Sequence, residues 1–389
     1  MTTPLAWKNL FHNKTRTAVA VLGIIFAVVL MFMQLGFLGT VRLTSAMIYE
    51  AMDFDLLLRS PMYLQLSDPK TFPEQRLNRV ASIPGVASVT PLYMSISTWR
   101  HPADGGKQGA LLMGMRPGTS PFLVERCHGE LHALATAQDV LIDRKSKPEF
   151  GPQNNKQFGD EDLGRLTEIN GRQVCIRGCF ELGTGFAANG AVLMTERGYR
   201  RVVPTLGANR LSLGLVNFDQ DMPPEHFLAT VQRVQDSMTS FQDVDAMTRK
   251  EALDFENNFW LFDKSIGVMF MLGVVVAVIV GFAIVYQVLS LDIARNLGEY
   301  ATLKAMGYGN RFITSVVIFQ AIFLAGLGYL LGIITSFGLY AVTEWGAQVP
   351  IRMSRSSVTI VSVATLGMCL GSALVAVRKA YRADPADLF

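Results

Sequence analysis

Four long stretches without a charged side chain, residues 17–41, 265–291, 312–343 and 356–377, restrict what this sequence can fold into. Each exceeds the roughly 20 apolar residues that carry an α-helix across the hydrocarbon core of a bilayer. A fifth charge-free window, residues 80–99, contains Pro84, Gly85 and Pro91 among several Ser and Thr. It reads as loops and strands, not as a span. Half of the chain is hydrophobic and only 17% is charged, against about 25% in soluble domains. The net charge of +3 is too small for a nucleic-acid surface, so no nucleic-acid partner is expected. The expected fold class is a membrane α-helical protein with four transmembrane helices and a large extracytoplasmic α+β domain between the first and second.

Basic residues set the expected orientation. Lys8, Lys14 and Arg16 precede the first span. Arg295, Lys304 and Arg311 lie between the second and third, and Arg378, Lys379 and Arg382 follow the fourth. The short loop 344–355 holds Arg352 and Arg355. Cytoplasmic loops collect Lys and Arg. Residues 1–16, 292–311 and 378–389 are therefore expected inside, with 42–264 and 344–355 outside. Reading 17–41 as a cleaved signal peptide fits less well, because the apolar run is too long and its Ala-x-Ala signal is poor.

Within 42–264, the short apolar runs 54–60, 110–115, 139–143, 172–180, 190–194 and 211–218 are bounded by turn residues and read as strands. Residues 73–83 place Leu77, Val80 and Ile83 at helical spacing behind a proline. Residues 225–238 place Phe227, Leu228, Val231, Val234 and Met238 on one helical face. The polar stretch 145–164 reads as a loop or a subdomain boundary. Residues 244–267 lack Gly and Pro until Gly267 and run straight into the second span. They read as a stalk helix continuous with that span, with residues 41–55 as its counterpart.

Motifs for chemistry are sparse. There is no G-x-S-x-G, H-E-x-x-H or G-x-x-x-x-G-K-[ST], so the chain is not expected to be an enzyme or to hydrolyse ATP alone. His128 and His132 stand at i, i+4 beside Cys127, but no acidic cluster accompanies them. No metal, cofactor or catalytic residue is therefore assigned. On a strand, Cys175 and Cys179 would be about 13 Å apart, too far for a mutual disulfide. Pairing of either with Cys127, or three free thiols, both stay open. The spans carry no ionisable residue, so a polar conduction path through one chain is not expected.

One segment fits neither span nor simple turn. "LGEYATLKAMGYG", residues 297–309, reads as a short amphipathic helix with a glycine stop signal. Ala301 and Ala305 would permit close approach of another surface. Leu303 and Met306 would offer an adaptable apolar anchor, and Glu299 and Lys304 would fix register. Gly307 suits a left-handed position just past the helix end.

These residues carry a family resemblance. "EYATLKAMGYGNRFI", the opening "NLFHNKTRTAVAVLGI" and the ending "YRADPADLF" resemble the FtsX/MacB-type permeases of ABC transporters, and among them the DevC-type permeases of heterocyst-glycolipid exporters. The resemblance implies a permease subunit that pairs as a homodimer and works with a separate ABC ATPase. It further implies a periplasmic membrane-fusion adaptor and a TolC-like outer-membrane duct, a lipid or other envelope cargo, and an inner-membrane location. Carried over by position, it implies that Arg295, Glu299, Leu303, Lys304, Ala305, Met306 and Gly307 form the ATPase-coupling segment. "LAWKNLFHNK" fits an interfacial elbow, with Trp7, Leu10 and Phe11 toward lipid and Lys8 and Lys14 toward the head groups. A non-transporting relay that activates an envelope enzyme is the alternative within the same family. A membrane-anchored receptor or enzyme would need a catalytic cluster in the outer domain that the sequence does not offer.

Overall fold

The computed structural model describes residues 14–123, 130–183, 189–207, 209–219, 221–347 and 350–381. In chain order the elements begin with α1 (Lys14–Ala51), β1 (Leu56–Arg59), β2 (Phe72–Pro73), α2 (Glu74–Ala81), β3 (Val86–Arg100) and β4 (Lys107–Met115). There follow β5 (Asp139–Asp143), β6 (Leu166–Ile169), β7 (Arg172–Phe180), β8 (Ala191–Thr195), α3 (Glu196–Val202), β9 (Arg210–Leu211) and β10 (Leu213–Phe218). The remainder comprises α4 (Pro224–Thr239), β11 (Asp245–Thr248), α5 (Arg249–Asn258), α6 (Ile266–Arg295), α7 (Leu297–Ala305), α8 (Asn310–Ala347) and α9 (Arg355–Tyr381). The chain divides into a helical unit, Met1–Thr40 with Ser265–Phe389, and a mixed unit, Val41–Lys264. This is the expected class: among the described residues four helices are long and apolar enough to cross a membrane, with an α+β domain inserted between the first and second.

In the helical unit, glycines set the helix contacts. A Cβ at Gly328 would stand 2.5 Å from Ile24, and one at Gly332 would stand 2.6 Å from Val28, so α1 and α8 run side by side in the same direction. Gly23 meets Ile284 and Gly273 meets Gln34, which sets α6 antiparallel to α1. Gly281 lies where three helices meet, 2.5 Å from Met368 and 2.8 Å from Ala27 if given a Cβ. Between membrane helices, where burial from water supplies no drive, such small residues permit the close packing that holds the bundle. Gly281→Leu is accordingly expected to destabilise the bundle by roughly 1–3 kcal/mol, as overpacking does, read as a lowered unfolding midpoint in detergent. Tyr329 donates to the Val358 carbonyl at 3.3 Å, and Thr40 to the Pro350 carbonyl at 3.0 Å.

In the mixed unit the sheet order is β11-β1-β10-β3-β4-β8-β5-β7-β6. β6 also pairs with the far end of β3, Trp99 opposite Ile169, so six of the strands close on themselves. The β4–β8 and β5–β7 pairs are parallel and the other pairings antiparallel. Trp99 fills the core beside Phe150 and Phe158, and its indole N–H donates to the Phe150 carbonyl at 3.0 Å. β3 occupies most of the 80–99 window and tolerates Pro91 for a clear reason. Over residues 86–92 β3 pairs with β10, and its pairing with β4 begins only at Leu92. The missing N–H therefore faces an edge.

Two expectations need correction. Residues 244–267 are not one helix. Asp245–Thr248 is β11, which extends the sheet beside β1, and Thr248 then caps α5 in a reciprocal capping box with Glu251. One π turn, Phe259–Asp263, follows, and Ser265 adopts a left-handed φ of 56° before α6 begins. The uninterrupted helix is instead α1, which runs past the first apolar window to Ala51. On α4, Val231, Val234 and Met238 are buried as expected, but Leu228 is 67% exposed. Of the two readings of 145–164, the loop is the one observed: it holds two short 3-10 turns and lies within one unit.

Candidate functional site

α7 follows α6 after a single linking residue, Asn296, whose carbonyl accepts the Tyr300 N–H at 3.1 Å. Glu299 lies in its first turn and Lys304 in its last, each the sign that the helix dipole favours there. Tyr300 and Ala301 are buried. The helix closes with a complete Schellman turn. Gly307, at φ +91°, donates to the Lys304 carbonyl at 2.9 Å, and Tyr308 donates to the Leu303 carbonyl at 3.1 Å. A Cβ at Gly307 would meet nothing within 4 Å, so glycine is required there by backbone conformation and not by crowding. The Tyr308 and Phe312 rings meet tilted, their centres 4.6 Å apart, on the way into α8.

The seven residues implied as coupling residues do not share one surface. Glu299, Ala305, Met306 and Gly307 are exposed, Met306 at 63%. Leu303 is half-buried. Lys304 donates to the backbone carbonyl of Tyr381 at 2.9 Å, and the Tyr381 hydroxyl lies 2.5 Å from Thr314 Oγ1. Lys304 is thus bound to the end of α9. Arg295 belongs to the last turn of α6 and lines a groove against α1. Ala301, expected to face outward, is 3% exposed and packs inward. What reaches solvent together is the end of α7: Ala305, Met306 and the Gly307 turn. Of the elbow, Trp7, Lys8, Leu10 and Phe11 lie outside the described residues, and α1 begins at Lys14.

A second polar cluster, inside the mixed unit, escaped the sequence reading. Glu256 on α5 is fully buried. Its carboxylate accepts the Tyr63 hydroxyl at 2.8 Å, the Leu66 N–H at 3.2 Å and the Trp260 indole N–H at 3.1 Å. The Tyr63 hydroxyl lies 2.7 Å from that of Tyr49 on α1. Arg59 stands near, its guanidinium 4.1 Å from the Phe255 ring centre and 5.0 Å from that of Tyr63. Its Nε and Nη1 make no hydrogen bond. Burial raises the Glu256 carboxyl above the ordinary carboxylate value, opposed by its donors and by the charge of Arg59. Asp143 is likewise buried and held by the N–H groups of Lys145, Leu182 and Gly183.

Among the described residues no group of three or more His, Cys, Asp or Glu is placed to hold a metal. His132 lies in a short 3-10 turn, while Cys127 and His128 fall outside the described residues. Cys175 and Cys179 are both buried on β7.

Residues 269–385 match the family described as FtsX-like permease C-terminal. The match spans most of the stretch from α6 to α9, with α7 inside it. Over 387 residues the chain is also 22% identical to an uncharacterized ABC transporter permease of Mycobacterium tuberculosis, found in two strains, covering 99% of this chain and 98% of the relative. Among solved structures, the periplasmic region of MacB from Actinobacillus actinomycetemcomitans matches at 14% identity and a TM-score of 0.35, over 52% of this chain and 92% of that one. The extracellular domain of the noncanonic ABC-type transporter YknZ from Gram-positive bacteria matches at 15% and 0.33, over 50% and 99%.

Proposed function

We propose that this chain is the permease subunit of an ABC exporter, working as a homodimer with a separate ATPase. The observation that carries the reading is the end of α7. Inside the matched region 269–385, a helix of nine residues closed by a Schellman turn presents Ala305 and Met306 to solvent. Small and flexible apolar side chains on a rigid turn suit a protein groove. Motion of the ATPase would enter there and pass to α9 through Lys304 and Tyr381, and to the mixed unit through its two connections to the spans. The outer partners in this reading are a periplasmic adaptor and a TolC-like duct, and the cargo is a lipid of the envelope, with the glycolipid of DevC-type exporters as the nearest example. The basic residues support an inner-membrane topology with both termini and loop 292–311 cytoplasmic and the domain 42–264 outside.

Two experiments test this. The purified chain is expected to show no ATP turnover, while the complex reconstituted with its ATPase in nanodiscs hydrolyses ATP. Turnover by a preparation free of ATPase would overturn the reading. For topology, Gln157→Cys, on an exposed loop of the mixed unit, is expected to react with an impermeant thiol reagent in intact cells. Met306→Cys, in an otherwise cysteine-free chain, is expected to react only after lysis. The reverse pattern would invert the orientation.

A further inference from the structure

α6 is the least covered of the four spans: 17% of its most apolar stretch is buried, against 39–44% in the others. Part of its uncovered face is concave. α1 and α6 touch where Gly23 meets Ile284. From that contact toward the start of α1 and the end of α6, the two helices line an open groove of about 840 Å³, within the range of sites that hold small molecules. Val19, Leu22 and Phe26 form one wall and Leu291 part of the other, all four exposed. Arg295 closes the α6 wall, and Gln287 lies about two turns deeper on the same helix. Thr15, near the start of α1, also lines the groove.

An apolar trough with an arginine at its mouth, at the end of a membrane-spanning helix, matches one ligand chemistry. Acyl chains fit along Leu22, Phe26 and Leu291, a phosphate fits against Arg295, and Gln287 offers its amide to ester oxygens. The apolar walls offer ordered water few partners. A helix from a second copy would cover the walls but would leave Arg295 and Gln287 facing apolar surface. A zwitterionic headgroup would bring its own cation toward Arg295, so a headgroup with net negative charge is favoured. We propose that this groove is a binding site for an anionic phospholipid, with Arg295 holding the phosphate. The site stands on the α1–α6 geometry and does not rest on the docking of an ATPase at α7.

The test uses the full chain, delipidated in detergent and offered phosphatidylglycerol or phosphatidylcholine, with bound lipid counted by native mass spectrometry. Phosphatidylglycerol is expected to be retained roughly tenfold better than phosphatidylcholine, a difference of about 1.4 kcal/mol. The preference is expected to disappear in Arg295→Gln and to survive in Arg295→Lys, which keeps the charge. Leu22→Trp, which fills the trough and spares the cation, is expected to lower retention of both lipids. Arg352→Gln, between α8 and α9, is expected to behave as the parent. Equal retention of the two lipids by the parent, or an unchanged preference in Arg295→Gln, overturns the proposal. So does efficient disulfide formation between Val19→Cys in one copy and Leu291→Cys in another, which would place a second copy in the groove.

Discussion

Ala305→Glu is expected to strip the chain of its ATPase in pull-downs while leaving its insertion and abundance unchanged. Ala305 ends α7, exposed beside Met306 and the Gly307 turn. If this tip is the docking knob, glutamate carries an unpaired charge into a desolvated contact, which costs several kcal/mol. About 1.4 kcal/mol is already tenfold in affinity, so roughly 3 kcal/mol removes a complex that survives washing in the parent. Two smaller effects do not account for such a loss. A carboxylate near the helix C-terminus opposes the dipole by only about 0.3–1 kcal/mol. Insertion is not affected, because position 305 lies outside every charge-free window. Gln157→Glu, exposed in the mixed unit, adds the same charge elsewhere and is expected to keep the ATPase bound. Retention of the ATPase by Ala305→Glu would make α7 a re-entry turn and remove the basis for assigning coupling to it.

How far the sequence exposes this arrangement depends on the range of the forces involved. The spans are legible because a charge-free window needs no partner to be recognised, yet their ends are not. α1 continues to Ala51 because Ile48, Tyr49 and Ala51 are buried in the core of the mixed unit, which the hydropathy of residues 17–41 cannot reveal. Each short apolar run read as a strand lies on observed strand, and β3 falls in the 80–99 window read as loops and strands, where the tolerance of Pro91 follows from the strand's change of partner at Leu92. The break before α6 was partly legible. Thr248 and Glu251 form the T-x-x-E signature of a helix start, and that local signal argued against a helix already under way. At α7 the turn at Gly307 is local and readable from Lys-Ala-Met-Gly. The inward face of Ala301 is not, because a nine-residue helix with small residues on several sides has little periodicity. The bond from Lys304 to Tyr381 joins positions 77 residues apart, and no spacing rule reaches that far.

The cluster around Glu256 separates a charge from the hydrogen bonds it makes, and two substitutions should show the difference. Glu256→Leu leaves the Tyr63 hydroxyl, the Leu66 N–H and the Trp260 indole without their shared acceptor, and leaves Arg59 with Asp245, at 3.9 Å, as its remaining nearby carboxylate. Removing one member of such a buried set costs about 3–5 kcal/mol, which for a unit of this size lowers the midpoint by roughly 10 °C. Glu256→Gln is isosteric. Its carbonyl oxygen can keep the Leu66 and Trp260 donors, which share Oε1. Its amide can donate to the Tyr63 hydroxyl, which then donates to Tyr49. Its stability is expected within about 1 kcal/mol of the parent at neutral pH. The pH dependence follows from the direction of the shift. Burial raises the Glu256 carboxyl from 4.5 in the folded state, so its protonation favours folding. That contribution is fully present below 4.5 and is lost as pH rises through the folded value. Thermal unfolding of the full chain in detergent, repeated between neutral pH and about pH 4.5, should therefore show the parent gaining on Glu256→Gln as pH falls. Equal losses in the Leu and Gln variants would mean that the three hydrogen bonds contribute nothing, and a parent–Gln difference independent of pH would place the Glu256 carboxyl at its ordinary value.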